Sequence, residues 1–217
     1  MKYFVILLLF IQLTSCQETK EETFYLPKLG NVDIEYKTVH GKEIADTVYP
    51  KIPYFEFLNQ DSSLFKSTSI NGKIWVSEFF FTTCSTICPK MTKQMVRLQK
   101  NLKDLQSQIE FLSFTINPDY DQPSVLKNYA QHFNIDEKNW NLLTGDEEFT
   151  HLLGVEHFFV HADQSDEAVD GYAHSDAFTL VDRQGYVRGV YKGTVPEEVD
   201  RLEKDLRNLL KFEYGIN

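Results

Sequence analysis

An α/β sandwich, with a mixed central sheet flanked by helices and preceded by an N-terminal extension, is predicted by three observations. Two near-continuous apolar runs, KIWVSEFFF from Lys73 to Phe81 and IEFLSFTI from Ile109 to Ile116, have the composition of strands covered on both faces. A helical apolar period lies between them. A second helical pattern follows, and the chain ends on a hairpin and a last helix.

The elements follow in chain order. Met1 to Ser15 carries one positive charge, Lys2, then an apolar stretch from Tyr3 to Leu13, which is the layout of a secretory signal. That stretch is shorter than the ~20 residues that span a bilayer. It ends on L-T-S-C, which resembles the lipobox of bacterial lipoproteins and makes Cys16 the lipidated first residue of the mature chain. A non-lipidated signal or a short anchor helix is the alternative. Gln17 to Glu22 (QETKEE) is polar and charged and reads as a tether. The expected division is a lipoprotein signal peptide over 1–15, a lipidated N-terminus and polar tether over 16–30, and one folded domain over 31–217. The expected location is outside the cell or in the periplasm, anchored to the membrane.

Pro27, Pro50 and Pro53 punctuate the start of the domain, which predicts short strands and turns wrapping the core. The first buried strand is Lys73 to Phe81. Met91, Met95, Leu98, Leu102 and Leu105 recur at spacings of 4, 3, 4 and 3, so Pro89 to Leu105 is an amphipathic helix. Ile109 to Ile116 is the second buried strand, parallel to the first. Asp121 and Pro123 open a helix whose apolar side is Val125, Leu126, Tyr129, Ala130 and Phe133, and Asn139 to Leu143 is a short edge strand. Asp176 to Val181 and Tyr186 to Tyr191 form an antiparallel hairpin with Gly185 at positive φ. Thr194 and Glu197 fit a capping box before a helix with Val199, Leu202, Leu206 and Leu210 on its apolar face. This order is that of a thioredoxin-like sandwich.

The formal net charge is −10, and no basic cluster stands out, which argues against a nucleic-acid partner. Of three cysteines, setting Cys16 aside leaves Cys84 and Cys88 in the exported domain, where an unassisted pair tends toward a disulfide. They stand as C-S-T-I-C-P between the first strand and the first helix. Unpaired amides and partial positive charge at a helix N-terminus favour thiolate, the form that binds soft metals or attacks disulfides, and Lys90 and Lys93 push the same way. A structural disulfide is the plainest alternative, although so short a loop constrains the unfolded chain little. Two sulfurs suit Cu(I), and an imidazole extends such a site to Cu(II). Among six histidines, His174 lies just before the strand that starts near Asp176, in a loop that faces the cysteine helix in this fold. A loop histidine capping backbone groups is the competing reading.

Three blocks in order, FFFTTCSTICPKM, FTINPDYDQPSVLKNYA and HSDAFTLVDRQG, closely resemble the Sco/SenC family of copper-binding proteins, from about Ile52 to the C-terminus. The resemblance implies one copper ion, Cu(I) or Cu(II), held by Cys84, Cys88 and His174. It implies delivery to the copper A subunit of cytochrome c oxidase, or reduction of the cysteines of that centre. In the second case Cys84 attacks and Cys88 resolves; a redox or copper sensor would use the same residues. The chain departs from the family pattern at Ser85, where many members have proline, and at Asn117, where many have aspartate.

Other candidates read as structural. His157 and His161 are four apart, but Phe158, Phe159 and Val160 between them suggest extended chain that does not chelate. Met91 and Met95 occupy the apolar helix face. Asp119 and Asp121 are expected to cap a helix. Trp75 and Phe79 to Phe81 are expected in the core.

Overall fold

The computed structural model describes residues 24–160, 162–164 and 172–216; the signal and lipidation expectations, including Cys16, lie outside them. Its main sheet has seven strands. In chain order these are β3 (Glu56–Asn59), β4 (Leu64–Lys66), β5 (Ile74–Phe80), β6 (Ile109–Thr115), β7 (Trp140–Thr144), β10 (Ala177–Val181) and β11 (Val187–Lys192). Their order across the sheet is β11-β10-β5-β6-β7-β3-β4. Two separate hairpins, β1 (Asp33–Val39) with β2 (Lys42–Val48) and β8 (Ala162–Gln164) with β9 (Tyr172–His174), stand outside it. The helices are α1 (Cys88–Asn101), α2 (Pro123–Phe133), α3 (Glu147–Leu152) and α4 (Pro196–Asn208). Among the described residues no helix is long and apolar enough to cross a membrane.

Both buried strands form as the apolar runs predict, and every residue of β5 and of β6 is buried. They pair in parallel, Ile74 opposite Ile109 through Phe80 opposite Thr115. The faces are distinguishable by their ring contacts. Phe79 packs against Phe114 and Phe158 on one side, while Phe80 meets Tyr129 of α2 on the other. Residues alternate sides along a strand, so Glu78 shares the face of Phe80 and Tyr129.

Four expectations need correction. Strand β7 is not at the edge, because the proline-rich segment supplies β3 and β4, and β3 pairs with β7 through Leu58 and Asn59. No capping box forms: α4 starts at Pro196 with Val195 as its N-cap, one residue too late, and Thr194 instead donates to the Asp176 carboxylate. Asp121 does not cap α2, whose N-cap is Gln122; its carboxylate turns inward. Helix α3, capped by Asp146 accepting from the Phe149 amide, lies where the sequence reading had no element.

Candidate metal centre

Strands β5 and β6 end together, so the cysteine loop and the Asn117–Gln122 turn emerge side by side from one end of the sheet. The two are joined by Asp121. Its carboxylate, wholly buried, accepts from the Thr82 amide at 3.0 Å, from the Thr82 hydroxyl and from the Thr115 hydroxyl. Thr82 is two residues before Cys84, and this clamp holds the loop that carries the dithiol.

Cys84 and Cys88 are both buried, at 4% and 1% exposure, and are thiols rather than a disulfide. The Cys84 amide bonds the Phe81 carbonyl at 3.3 Å. Cys88 is the first residue of α1, followed by Pro89, and its amide donates to the Cys84 sulfur at 3.4 Å. That contact is what the helix N-terminus was expected to offer: an unspent backbone N–H aimed at the other cysteine. Thr86 Oγ1 lies 3.7 Å from the same sulfur.

The expected easy ionisation does not extend to Cys88. Its hydrogen bond with Cys84 and its burial push its thiol far above the ordinary range, against a weaker opposing bond from the Phe81 backbone. Lys90 and Lys93 lie on the exposed side of α1. The pair is therefore suited to holding a proton until an incoming metal or disulfide displaces it.

Behind the thiols is a polar column that the sequence reading missed. Thr92 Oγ1 donates to the Cys88 carbonyl at 2.9 Å and lies 2.7 Å from the Tyr129 hydroxyl. Glu78, fully buried on the same face of β5, accepts from Ser113 Oγ at 2.7 Å, and Ser113 in turn accepts from Trp140 Nε1 at 2.9 Å. Glu78 Oε2 has no hydrogen-bond partner among the described residues. Burial pushes the Glu78 carboxyl up to about 7, and its charge works against ionisation of both Cys88 and Tyr129. A single carboxylic acid inside a buried, mainly apolar strand was the signal that announced it.

His174 is described through its backbone, as the last residue of β9, opposite Ala162. Strand β10 runs antiparallel to β5 with Thr179 opposite Ser77, so its start lies at the end of β5 that leads to Cys84. The segment Ser175–Asp176 joining His174 to β10 is fixed there by Thr194 and by the Gly193 amide, which both donate to Asp176. The topology thus carries His174 to the cysteine end of the sheet. Met91 and Met95 are fully buried core residues, as are Phe79, Phe80 and Phe81, and Trp75 is nearly so. His157 closes a π-helical turn after α3, not an extended segment, and His161 lies outside the described residues.

A dithiol at the first turn of the helix that follows a central parallel strand defines a thiol- or metal-handling protein of the thioredoxin-like class. Within that class the chain belongs to the SCO1/SenC family, whose model matches residues 46–211. A SCO1/SenC family lipoprotein from Bacillus anthracis is 35% identical with a TM-score of 0.68, the match covering 73% of this chain and 94% of that one. BsSco, a Sco-family cytochrome c oxidase assembly protein with a disulfide switch, is 30% identical at a TM-score of 0.66, over 75% and 94% of the two chains. Copper-bound ScoI from Bradyrhizobium japonicum, at 20% identity, shares the fold with a TM-score of 0.59, over 71% and 98%.

Proposed function

We propose that the protein is a membrane-tethered copper metallochaperone that takes up one copper ion through Cys84, Cys88 and His174. It passes the ion to the copper A subunit of cytochrome c oxidase during assembly. The observation that carries this reading is the buried dithiol itself: Cys84 receives the Cys88 amide, and the strand topology brings the His174 backbone to the same end of the sheet. Two thiolates and an imidazole form a soft donor set for copper. Copper bound in ScoI and the assembly role of BsSco support the same reading. The lipobox-like L-T-S-C ending at Cys16, together with the lipoprotein from B. anthracis, supports the tether and an extracytoplasmic location. Capture displaces thiol protons, so uptake strengthens as pH rises.

The test is titration of the reduced protein with Cu(I) and Cu(II), comparing wild type, His174→Ala and Cys84→Ser. One ion per chain is expected, with Cu(II) affinity reduced by His174→Ala and uptake of both ions by Cys84→Ser. Failure of reduced wild type to take up copper, or an unchanged Cu(II) affinity in His174→Ala, overturns the carrier reading.

A second reading, a thiol-disulfide oxidoreductase, is favoured by the two cysteines standing reduced in mutual contact. Cys84 thiolate would attack a partner disulfide, forming a mixed disulfide and releasing one partner thiolate. Cys88, giving up its proton, would then close the Cys84–Cys88 disulfide and release the second. Reduction of an oxidised copper A domain in the absence of metal is its assay.

A further inference from the structure

The helix that starts at the dithiol is charged against the sign of its own protein. From Thr82 to Lys103 the chain has five cations, Lys90, Lys93, Arg97, Lys100 and Lys103, and no carboxylate, while the whole chain carries −10. On α1 the first four fall within about 80° of one another at 100° per residue, so they form one ridge. Lys90, Lys93 and Lys100 are exposed and take part in no ion pair among the described residues. Arg97 alone turns to α4, where it meets Asp200 at 2.5 Å and the Pro196 carbonyl. Beside the ridge runs a groove of about 350 Å³ lined by Lys93, Val96, Arg97, Lys100, Asn101 and Phe133. Its walls are basic, and Val96 and Phe133 give it an apolar floor.

From this we infer that the ridge and groove of α1 dock an acidic protein segment bearing one apolar side chain, on the partner that exchanges copper or electrons with Cys84 and Cys88. The inference rests on the proposed exchange at that dithiol for the partner's identity. Three features select this occupant. The ridge begins two residues after Cys88, so whatever lies along it is held beside the thiols. The unpaired lysines offer their charge to an outside group, since only Arg97 is drawn into the acidic α4. The mixed groove fits a side chain ringed by carboxylates; a lipid surface is flat, and an anionic one repels a chain of this net charge.

The experiment uses the soluble copper A domain of the oxidase as probe and follows its association with the full protein by stopped flow at about 20 and about 200 mM salt. Wild type is expected to associate about tenfold more slowly at the higher salt, and Lys93→Glu/Lys100→Glu about tenfold more slowly than wild type at the lower. Lys204→Glu, on exposed α4, is the control and should leave the rate within about twofold. Copper uptake without the partner is measured in parallel. Loss of uptake by wild type sinks the carrier reading, whereas the association rates decide docking by themselves. Salt-independent association of wild type, or a double variant within about twofold of it, overturns the inference. So does a ridge needed only for binding phosphatidylglycerol vesicles, with association to the protein domain unchanged.

Discussion

Asp121 and Glu78 are two buried carboxyl groups close to the dithiol, and they live by different rules. Asp121 sits in the turn beyond β6 and accepts three hydrogen bonds, from the Thr82 amide, the Thr82 hydroxyl and the Thr115 hydroxyl. Glu78 sits in mid-strand with a single donor, Ser113, and with one oxygen unpartnered among the described residues. Burial is nearly complete at both, so depth alone does not separate them. The number of donors does. A carboxylate ringed by N–H and O–H groups ties chain segments together, whereas one with a single donor is pushed by desolvation toward its neutral acid. The first group builds the loop that presents Cys84; the second sets the electrostatic background against which Cys88 gives up its proton.

The strongest way to break this contrast is Asp121→Ala. It strands a buried amide and two hydroxyls, each costing about 1–3 kcal/mol when left unpaired, so a total loss of roughly 3 kcal/mol is expected in urea unfolding. The loop before Cys84 should loosen with it, read as faster alkylation of the thiols. Asp121→Asn keeps the shape but turns one acceptor into a donor facing other donors, and it should lose somewhat less. A loss under about 0.5 kcal/mol in the alanine variant would mean that the clamp contributes nothing beyond an ordinary surface contact.

Glu78→Gln probes the other side. The folded-state value is raised from the ordinary 4.5 to about 7, so the folded protein holds a proton that the unfolded chain releases. Stability is then greatest below the unfolded value and falls as pH rises between 4.5 and about 7, by up to about 3 kcal/mol for a shift of this size. Glutamine abolishes that slope. Unfolding measured from pH 4.5 to pH 8 should therefore converge for the two proteins at acid pH and favour the variant at alkaline pH. Thiol alkylation in the variant should also lose the part of its pH dependence that comes from a charge developing beside Cys88. Parallel stability curves would show that Glu78 ionises no differently from a surface acid.

These two groups also mark where sequence reasoning reached and where it stopped. Continuous apolar runs and a 4, 3, 4, 3 period are local signals, and they identified β5, β6 and α1 because burial on two faces or one face writes itself into neighbouring residues. Both cysteines were legible for the same reason, since strand, loop and helix start are consecutive. Pairing across long sequence distances was not. Nothing near Trp140 shows that β3, some eighty residues upstream, covers its strand, and nothing near Asp121 shows that its donors are Thr82 and Thr115. The helix-cap expectations for Asp121 and Thr194 failed because each side chain found a tertiary partner that outweighs a local cap. The basic ridge was hidden by the overall negative charge; only the helix geometry gathers lysines spread over a dozen residues into one face.

The finest test of the comparison removes one donor from each carboxyl. Ser113→Ala takes away the one hydrogen bond among the described residues that favours the charged form of Glu78, so the fall in stability should still begin near the unfolded value but continue to a higher pH than in wild type. It also deprives Trp140 Nε1 of its acceptor, and a further loss of about 1 kcal/mol is expected at every pH. Thr115→Val takes one of three donors from Asp121 together with the acceptor of the Asn117 amide, and it should cost about 1 kcal/mol in urea unfolding at pH 7. The two variants thus have similar costs for one lost donor each. If Ser113→Ala left the pH dependence of stability unchanged, the Ser113 hydrogen bond would not be what opposes desolvation at Glu78, and donor number would not explain how that acid behaves.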